Sequence, residues 1–130
     1  MKVYVACHCK EEAAKAASSL RAEGFEVVST WHEMHRAFLP TAEHSEDQRT
    51  TIAREDTDEV RLSDALLLIA GPEKYSGGKF VEAGIAIGLG TPVVVLGRRE
   101  NLMLWHPGVT QVDSIGEAVS ALRVIARYAS

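Results

Sequence analysis

Two continuous apolar runs in the second half of the chain limit the folds that are open to it. One is "ALLLIAG" (Ala65–Gly71) and the other is "PVVVLG" (Pro92–Gly97). Each has the length of a strand, and neither alternates with polar residues as a half-exposed strand does. Strands of this kind are buried on both faces, which occurs in parallel sheets covered by helices. We therefore expect a parallel sheet at the centre of the protein.

Predicted strands and helices alternate around these two runs. Further strands are predicted at Lys2–Cys7, at Phe25–Thr30 and, as a short fifth strand, near Val109–Val112. The predicted helices cover Glu11–Gly24, about Ser45–Ser63, Lys79–Gly90 and Asp113–Ala129. Ser45 and Gln48 are expected to form a capping box at the start of the second helix. This alternation predicts a single α/β domain over residues 1–130. Its doubly wound parallel five-stranded sheet would be flavodoxin-like, with strand order 2-1-3-4-5.

The segment Trp31–Gln48 does not fit this compact pattern. It is a long connection that carries the apolar residues Trp31, Met34, Phe38 and Leu39. Long connections inside compact domains are usually functional lids or disordered segments. The apolar residues favour a lid or an interface.

Composition argues against several classes of partner. A net charge of −4 and an isoelectric point near 5.7 do not suit a nucleic-acid polymer or an anionic membrane surface. No apolar run approaches the roughly 20 residues that span a bilayer, and "MKVYVACHC" lacks the pattern of a signal peptide. Cys7 and Cys9 are too close in sequence to form a disulfide framework. We therefore expect a cytoplasmic protein.

Two acidic residues are placed where a ligand would bind. In such a sheet, ligands bind beyond the carboxyl ends of the first and third strands, here between Ala6–Lys10 and Gly71–Gly78. Glu82 would lie about one turn into the helix that leaves the second of these walls. It can be interpreted as a residue facing the crevice, or simply as an acid that is favourable near a helix N-terminus.

Asp56 is the second of these acids. It shares one helical face with Ile52 and Val60, which places a carboxylate within an apolar stripe. Asp56 can therefore point into the crevice or be a buried carboxylate that is hydrogen-bonded to the backbone. On the same helix, Asp58 and Glu59 are expected on the solvated face.

Four segments, taken in order, resemble the nucleoside 2-deoxyribosyltransferase family over most of the chain. They are "KVYVA" at the start, "IAREDTDEVRLSDALLLIAG", "YSGGKFVEAGIAIGLGTPVVVLG" and "RENLMLWHPG". The resemblance implies a flavodoxin-like fold and a homodimer or a dimer of dimers. It also implies cleavage of the N-glycosidic bond of a 2′-deoxynucleoside or its 5′-monophosphate. The deoxyribosyl group would pass to another base or to water, and no cofactor is implied.

The resemblance also implies roles for individual residues. Glu82 matches the family's nucleophile, and Asp56 matches the acid that serves the departing base. Tyr4 matches a first-strand tyrosine whose hydroxyl orients the nucleophile. Ser76 lies in the loop that contacts the sugar or its 5′ end. Asn101 matches an asparagine that family members offer to the active site of the neighbouring subunit.

The chemistry suits these residue types. A carboxylate can trap a deoxyribosyl centre as a covalent ester while a second, protonated carboxyl group assists the departing base. We expect the helix start to keep Glu82 ionised and desolvation to act more strongly on Asp56. Gly77 and Gly78 would let backbone N–H groups approach the sugar or a phosphate. Small residues after Glu82 would let the helix lie close to the sheet, namely Ala83, Gly84, Ala86 and Gly88.

Two departures from the family pattern affect substrate contacts. Family members often have a glycine close after the first strand, whereas this chain has "CHCK". Cys7 is expected to be buried there, and His8 or Cys9 is expected to line the base pocket. Within this segment, Cys7 and His8 are the candidate substrate contacts. Members specialised for 5′-monophosphates often carry a glycine two residues before the nucleophile, where this chain has Phe80. Nucleosides and their monophosphates both remain open as substrates.

Three competing hypotheses remain. "CHC" and "HEMH" (His32–His35) could converge as metal ligands, but their spacing is not that of a structural zinc site, and we predict no metal. The chain could hydrolyse nucleosides or nucleotides without transfer. It could also be a non-catalytic nucleotide-binding or sensing domain, because a fold does not fix a function. Two inward acids argue against that last hypothesis, since they would repel a phosphate.

Overall fold

The protein is described by a computed structural model over residues 1–33, 44–72 and 77–128. Its strands are β1 (Lys2–Ala6), β2 (Glu26–Val27), β3 (Ala65–Ile69), β4 (Val93–Leu96) and β5 (Val109–Val112). All neighbouring strands are parallel, and their order in the sheet is β2-β1-β3-β4-β5. The predicted α/β class and strand order are confirmed.

The helices lie between the strands, as the alternation predicts. They are α1 (Lys10–Ala22), α2 (Glu46–Leu62), α3 (Gly78–Gly88) and α4 (Ile115–Tyr128), with a short 3-10 helix at Leu102–Trp105. The capping box predicted at the start of α2 is present: the Gln48 N–H donates to Ser45 Oγ, and the Ser45 N–H donates to Gln48 Oε1. Among the described residues, none of the helices is long and apolar enough to span a membrane.

The two faces of the sheet are covered by different helices. Because side chains alternate along a strand, Val3 and Val5 of β1 point to one face and Tyr4 points to the other. The first face packs against Leu20 of α1 and Leu122 of α4, and we call it the α1/α4 face. The second packs against Val60 of α2 and against Ala83 and Ala86 of α3, and we call it the α2/α3 face.

Strand β2 is shorter than the prediction of Phe25–Thr30. Beyond Val27, the Val28 N–H still donates to the Val3 carbonyl, at 2.9 Å. The Val5 N–H, however, donates to the Ser29 side-chain hydroxyl, at 3.0 Å. A side chain thus takes the place of a backbone partner, and the regular ladder ends after Val27.

The beginning of the long connection belongs to the core. The Trp31 ring N–H donates to the Val5 carbonyl at 2.8 Å, and His32 is 1% exposed with its Nε2 3.0 Å from Ser29 Oγ. The remaining residues on which the lid or interface prediction depended, including Met34, Phe38 and Leu39, lie outside the described residues.

Helix α3 approaches the sheet through alanines rather than glycines. Ala83 and Ala86 are buried in the α2/α3 face, as expected. Gly84 and Gly88 are exposed instead, and a Cβ atom placed on either would meet no atom within 4 Å. The expectation that these two glycines let α3 lie close to the sheet is wrong.

Candidate active site

The Tyr4 hydroxyl and the Glu82 carboxylate form the centre of the candidate site. Tyr4 projects from the middle of β1 and is fully buried on the α2/α3 face. Its hydroxyl donates a hydrogen bond to Glu82 Oε2. Glu82 lies one turn into α3, where helical geometry directs its half-buried side chain back over the sheet. The structure therefore brings these two predicted residues into direct contact.

The environment of Glu82 is desolvated. Burial raises the pKa of Glu82 from 4.5 to about 7, the hydrogen bond from Tyr4 lowers it, and the charges of Asp56 and Glu59 raise it. We expected the helix start to keep this carboxylate ionised. That expectation is wrong, because burial outweighs the groups that favour the charged form. Near neutral pH, both the ionised and the protonated forms of Glu82 are populated.

Tyr4 is held as a neutral hydrogen-bond donor. Burial, followed by the charge of Glu82, raises the pKa of the Tyr4 phenol far above its ordinary value. The hydroxyl therefore keeps its proton at every pH at which the protein would function. It can orient one oxygen of Glu82 without competing for the proton of that carboxyl group.

Asp56 and Glu59 bring two further acidic side chains to the site from α2. Both are half-buried, and the charge of each raises the pKa of Tyr4 and of Glu82. Asp56 lies on the inward face of α2, as its position between Ile52 and Val60 predicts. Helices α2 and α3 cover the same face of the sheet, so the carboxyl groups of Asp56 and Glu82 lie on one side of it.

Glu59 was expected to be on the solvated face of α2, and this expectation is wrong. Its carboxylate accepts hydrogen bonds from the Thr30 N–H, at 3.0 Å, and from the Thr30 hydroxyl, at 2.7 Å. The signal was available in the sequence, because Glu59 follows Asp56 by three residues and such positions share a helical face. Glu59 thus joins α2 to the chain after β2 and adds a third acid to the site.

The start of α3 offers open space beside these acids. Gly77 and Gly78 are exposed, and a Cβ atom on either would meet nothing within 4 Å. The amides of a helix start face outwards and favour an anion or a polar oxygen. Contact of Gly77 and Gly78 with a sugar or phosphate stays a prediction. Ser76, the neighbouring candidate, lies outside the described residues.

His8 and Gly71 close the crevice between β1 and β3. A Cβ atom on Gly71 would lie only 2.2 Å from His8 Nδ1, so the imidazole occupies the space that a side chain at position 71 would need. The two predicted walls of the crevice therefore meet at this contact. Cys7, by contrast, packs in the core of the α1/α4 face, away from the face that carries Tyr4 and Glu82.

Cys7, His8 and Glu12 are the described residues that could together hold a metal ion. Cys7 Sγ lies 3.8 Å from His8 Nδ1 and 3.7 Å from Glu12 Oε2, and His8 Nε2 lies 3.5 Å from Glu12 Oε2. Burial raises the pKa of the Cys7 thiol to about 11, which opposes the thiolate that a metal needs. His32 is buried against Ser29, and His35 lies outside the described residues. The prediction of no metal stays a prediction.

Asn101 begins an exposed apolar segment. Its Oδ1 atom is buried and has no hydrogen-bond partner in the part of the chain that is described. In the 3-10 helix that follows, the residues Leu102, Met103 and Trp105 are 83%, 66% and 67% exposed to solvent. Arg99 lies over the Trp105 ring, 4.4 Å from its centroid. A contribution of Asn101 to a neighbouring subunit stays a prediction.

Comparison with solved structures places this site on a known fold. A 2-deoxyribosyltransferase from the psychrotolerant bacterium Bacillus psychrosaccharolyticus superposes with a TM-score of 0.70 and 23% identity, over 92% of this chain and 90% of that one. The CMP N-glycosidase BcmB of Clostridium botulinum superposes with a TM-score of 0.57 and 21% identity, over 95% of this chain and 99% of that one. A conserved protein from Enterococcus faecalis V583 superposes with a TM-score of 0.67 and 17% identity, over 95% of this chain and 98% of that one. Similarity at these identities shows a shared fold.

The sequence itself establishes the family. No match was found among curated proteins. The family model described as nucleoside 2-deoxyribosyltransferase matches residues 3–121, which include Tyr4, Asp56, Glu82 and Asn101. The match runs from β1 into α4 and so covers every element that builds the candidate site. The chain belongs to the nucleoside 2-deoxyribosyltransferase family.

Proposed function

We propose that the protein cleaves the N-glycosidic bond of a 2′-deoxynucleoside, or of its 5′-monophosphate, through a covalent deoxyribosyl intermediate on Glu82. The observation that carries the proposal is the hydrogen bond from the buried Tyr4 hydroxyl to the Glu82 carboxylate. A pKa near 7 for Glu82 supports it, because the carboxylate is available at neutral pH. Membership of the family supports the same reaction class.

In the first half-reaction, the Glu82 carboxylate attacks C1′ of the deoxyribose while the bond from C1′ to the base nitrogen breaks. The base leaves with the bonding electron pair, and Asp56 in its acid form protonates the departing nitrogen. Positive charge develops on the sugar during this step, and the negative charge of Glu59 helps to stabilise it. The products are a free base and an ester between Glu82 and C1′.

In the second half-reaction, an incoming base or a water molecule attacks C1′ from the side that the first base vacated. The ester bond breaks, and its electron pair returns to the Glu82 carboxylate. The Asp56 carboxylate takes the proton that the attacking group gives up, which restores the acid for the next cycle. We favour a base over water as the acceptor, so the proposed activity is primarily transfer, with hydrolysis as the alternative.

A non-catalytic nucleotide-binding domain is the competing function. Such a domain would gain nothing from having Asp56, Glu59 and Glu82 on the same face of the sheet, because ionised acids repel a phosphate. The acids suit a reaction whose transition state is cationic. Their arrangement favours an enzyme.

We also propose that the protein acts as a homodimer or a dimer of dimers in the cytoplasm. The exposed apolar side chains of Leu102, Met103 and Trp105 follow Asn101 directly and would be covered in a dimer. The free thiols of Cys7 and Cys9 fit a reducing compartment. Sedimentation of the wild type and of Leu102→Asp tests the assembly. A wild type that sediments as a monomer at micromolar concentration would contradict it.

Trapping the intermediate tests the proposed reaction. The protein is first incubated with a panel of 2′-deoxynucleosides and their monophosphates, with and without a second free base, to find a competent substrate. The matching 2′-fluoro-2′-deoxynucleoside destabilises positive charge at C1′ and should slow breakdown of the ester. Intact-protein mass spectrometry should then show an adduct that peptide mapping assigns to Glu82.

The fate of that adduct separates transfer from hydrolysis. A transferase should lose the adduct faster when free base is added, whereas a hydrolase should lose it at the same rate in buffer alone. Glu82→Gln should form no adduct. Release of base by the wild type with an adduct on another residue would refute the assignment of the nucleophile.

A further inference from the structure

Lys79 and Glu100 form an ion pair that is almost completely buried. Lys79 Nζ lies 2.6 Å from Glu100 Oε1, and the two side chains are 3% and 7% exposed. Removing two charges from water is costly, and well-packed apolar residues in their place are often as stable or more stable. Stability alone is therefore a weak reason for a pair at this position.

The pair joins three segments at the carboxyl end of the sheet. Lys79 lies in the first turn of α3, and its Nζ also lies 3.5 Å from the Ile69 carbonyl at the end of β3. Glu100 follows β4, and its Oε1 also accepts a hydrogen bond from the Gly71 N–H, at 3.2 Å. Arg98 donates to the Gly71 carbonyl at 3.1 Å and adds a second link between the ends of β3 and β4.

Residues of the candidate site lie next to this junction. Glu82 follows Lys79 by three residues on the same helix, so a shift of the first turn of α3 would move its carboxylate. Tyr4 is fixed independently, because it is buried in the middle of β1. The distance between the Tyr4 hydroxyl and Glu82 therefore depends on how α3 is held against the strand ends.

We propose that Lys79 and Glu100 are positioning residues for the Glu82 carboxylate. Their ion pair fixes the first turn of α3 to the ends of β3 and β4 and so keeps Glu82 aligned with the Tyr4 hydroxyl. The inference rests on the proposed function for its effect on catalysis. Its structural part, the fixing of α3, can be tested without any activity.

The test replaces the pair by apolar residues of similar length. In Lys79→Met/Glu100→Met, no unpaired charge is left in the interior, so the variant should fold with a Tm close to that of the wild type. The matched control is Arg123→Met/Glu23→Met, which removes an exposed ion pair between α4 and the residue after α1; its side chains are 54% and 46% exposed. If the first variant does not fold, Lys79→Met/Glu100→Gln replaces it, because the amide oxygen can still accept from the Gly71 N–H and no unpaired charge is left in the interior.

Two measurements are made on each folded variant. The first is steady-state kinetics of base release, in which loss of the pair should lower kcat by roughly 10- to 100-fold with a smaller change in KM, because misplacing a reacting group by about 1 Å has effects of this size. The second is amide hydrogen exchange, which should become faster in Gly77–Glu82 while the strands keep their protection. The control variant should show neither change.

The outcomes separate this inference from the proposed function. Wild-type kcat and wild-type exchange in Lys79→Met/Glu100→Met would overturn it. A lower kcat without faster exchange in Gly77–Glu82 would overturn it too, since the charges rather than the position of α3 would then matter. If the wild type releases no base from any substrate, the proposed function fails. In that case, faster exchange still supports the fixing of α3, and unchanged exchange refutes it.

Discussion

The two faces of the sheet are built on the same strands but carry different kinds of residue. The α1/α4 face is an apolar core in which Val3, Val5 and Leu122 pack without a charged group among the described members of the cluster. The α2/α3 face has a similar apolar floor, but Tyr4 interrupts it and bonds to Glu82. Desolvation that stabilises the first face raises the pKa of an acid on the second. The same burial thus stabilises the fold on one side and shifts the pKa of an acid on the other.

Removal of the Glu82 carboxylate should have the largest effect on activity and should leave the protein folded. Glu82→Ala should lower the rate of base release by roughly 10³-fold or more, because no nucleophile remains. The side chain is half-buried, so its loss opens no large core cavity and the Tm should not fall. Chromatographic base-release assays and thermal melts measure both. Asp58→Asn, on the exposed side of α2, is the control. Near-normal turnover in Glu82→Ala would exclude Glu82 as the nucleophile.

A substitution that opens a cavity in the α1/α4 face should lower stability without lowering activity. Leu122 is fully buried in the α1/α4 face. Leu122→Ala should lower the free energy of unfolding by about 2–5 kcal/mol, as large-to-small core substitutions do. Urea denaturation measures this loss, and Val124→Ala on the exposed side of α4 is the control. A fall in kcat per folded molecule would show that the two faces are coupled, contrary to the comparison.

Stability should also depend on pH through Glu82. Burial raises its pKa from 4.5 to about 7, so between these values the folded protein holds a proton that the unfolded chain has released. Stability therefore falls as the pH rises through this window, by up to about 3 kcal/mol at its upper end. Glu82→Gln imitates the protonated form. It should match the wild type near about pH 5 and be more stable near about pH 8.

Denaturant titrations at both pH values test this dependence. Asp58→Asn serves as the control for loss of one exposed negative charge. If the difference in stability between Glu82→Gln and the wild type is the same at both pH values, Glu82 does not titrate in this window and the desolvated environment described for it is wrong.

Loss of the Tyr4 hydroxyl should have the smallest effect and a distinctive pH signature. Tyr4→Phe should lower kcat/KM by roughly 10-fold, the scale of one hydrogen bond to a charged group. The bond from Tyr4 lowers the pKa of Glu82, so its removal should move the acid limb of the kcat/KM profile to higher pH. Tyr128→Phe, at an 83% exposed tyrosine, is the control. An unshifted acid limb would show that Tyr4 does not tune Glu82.

The sequence predicts most of the fold because the relevant signals are local. The apolar runs of β3 and β4 and the capping box of α2 each depend on a few neighbouring residues, and all three are confirmed. The shortened β2 depends on a hydrogen bond from the Val5 N–H to Ser29, which joins residues 24 positions apart. The spacing of apolar residues along the sequence does not predict hydrogen bonds between such distant residues.

In the candidate site, too, the features that depend on long-range contacts could not be predicted from local sequence patterns. The pairing of Tyr4 with Glu82 came from family resemblance, and the inward face of Asp56 came from helical spacing. The charge state of Glu82 could not be predicted from its position in the helix, because desolvation depends on how closely α2 and α3 pack over β1. The ion pair of Lys79 with Glu100 joins residues 21 positions apart and gives no local signal.

The contact of His8 with Gly71 limits how this protein can be altered. The imidazole fills the place where a Cβ atom at position 71 would lie, 2.2 Å from Nδ1. Even Ala at position 71 would force His8 out of the crevice, whereas Ala at position 8 would free position 71 for a side chain. The two positions therefore form one unit for redesign. A library that varies either residue alone samples mostly clashes or gaps, and only joint variation can reshape this wall of the crevice.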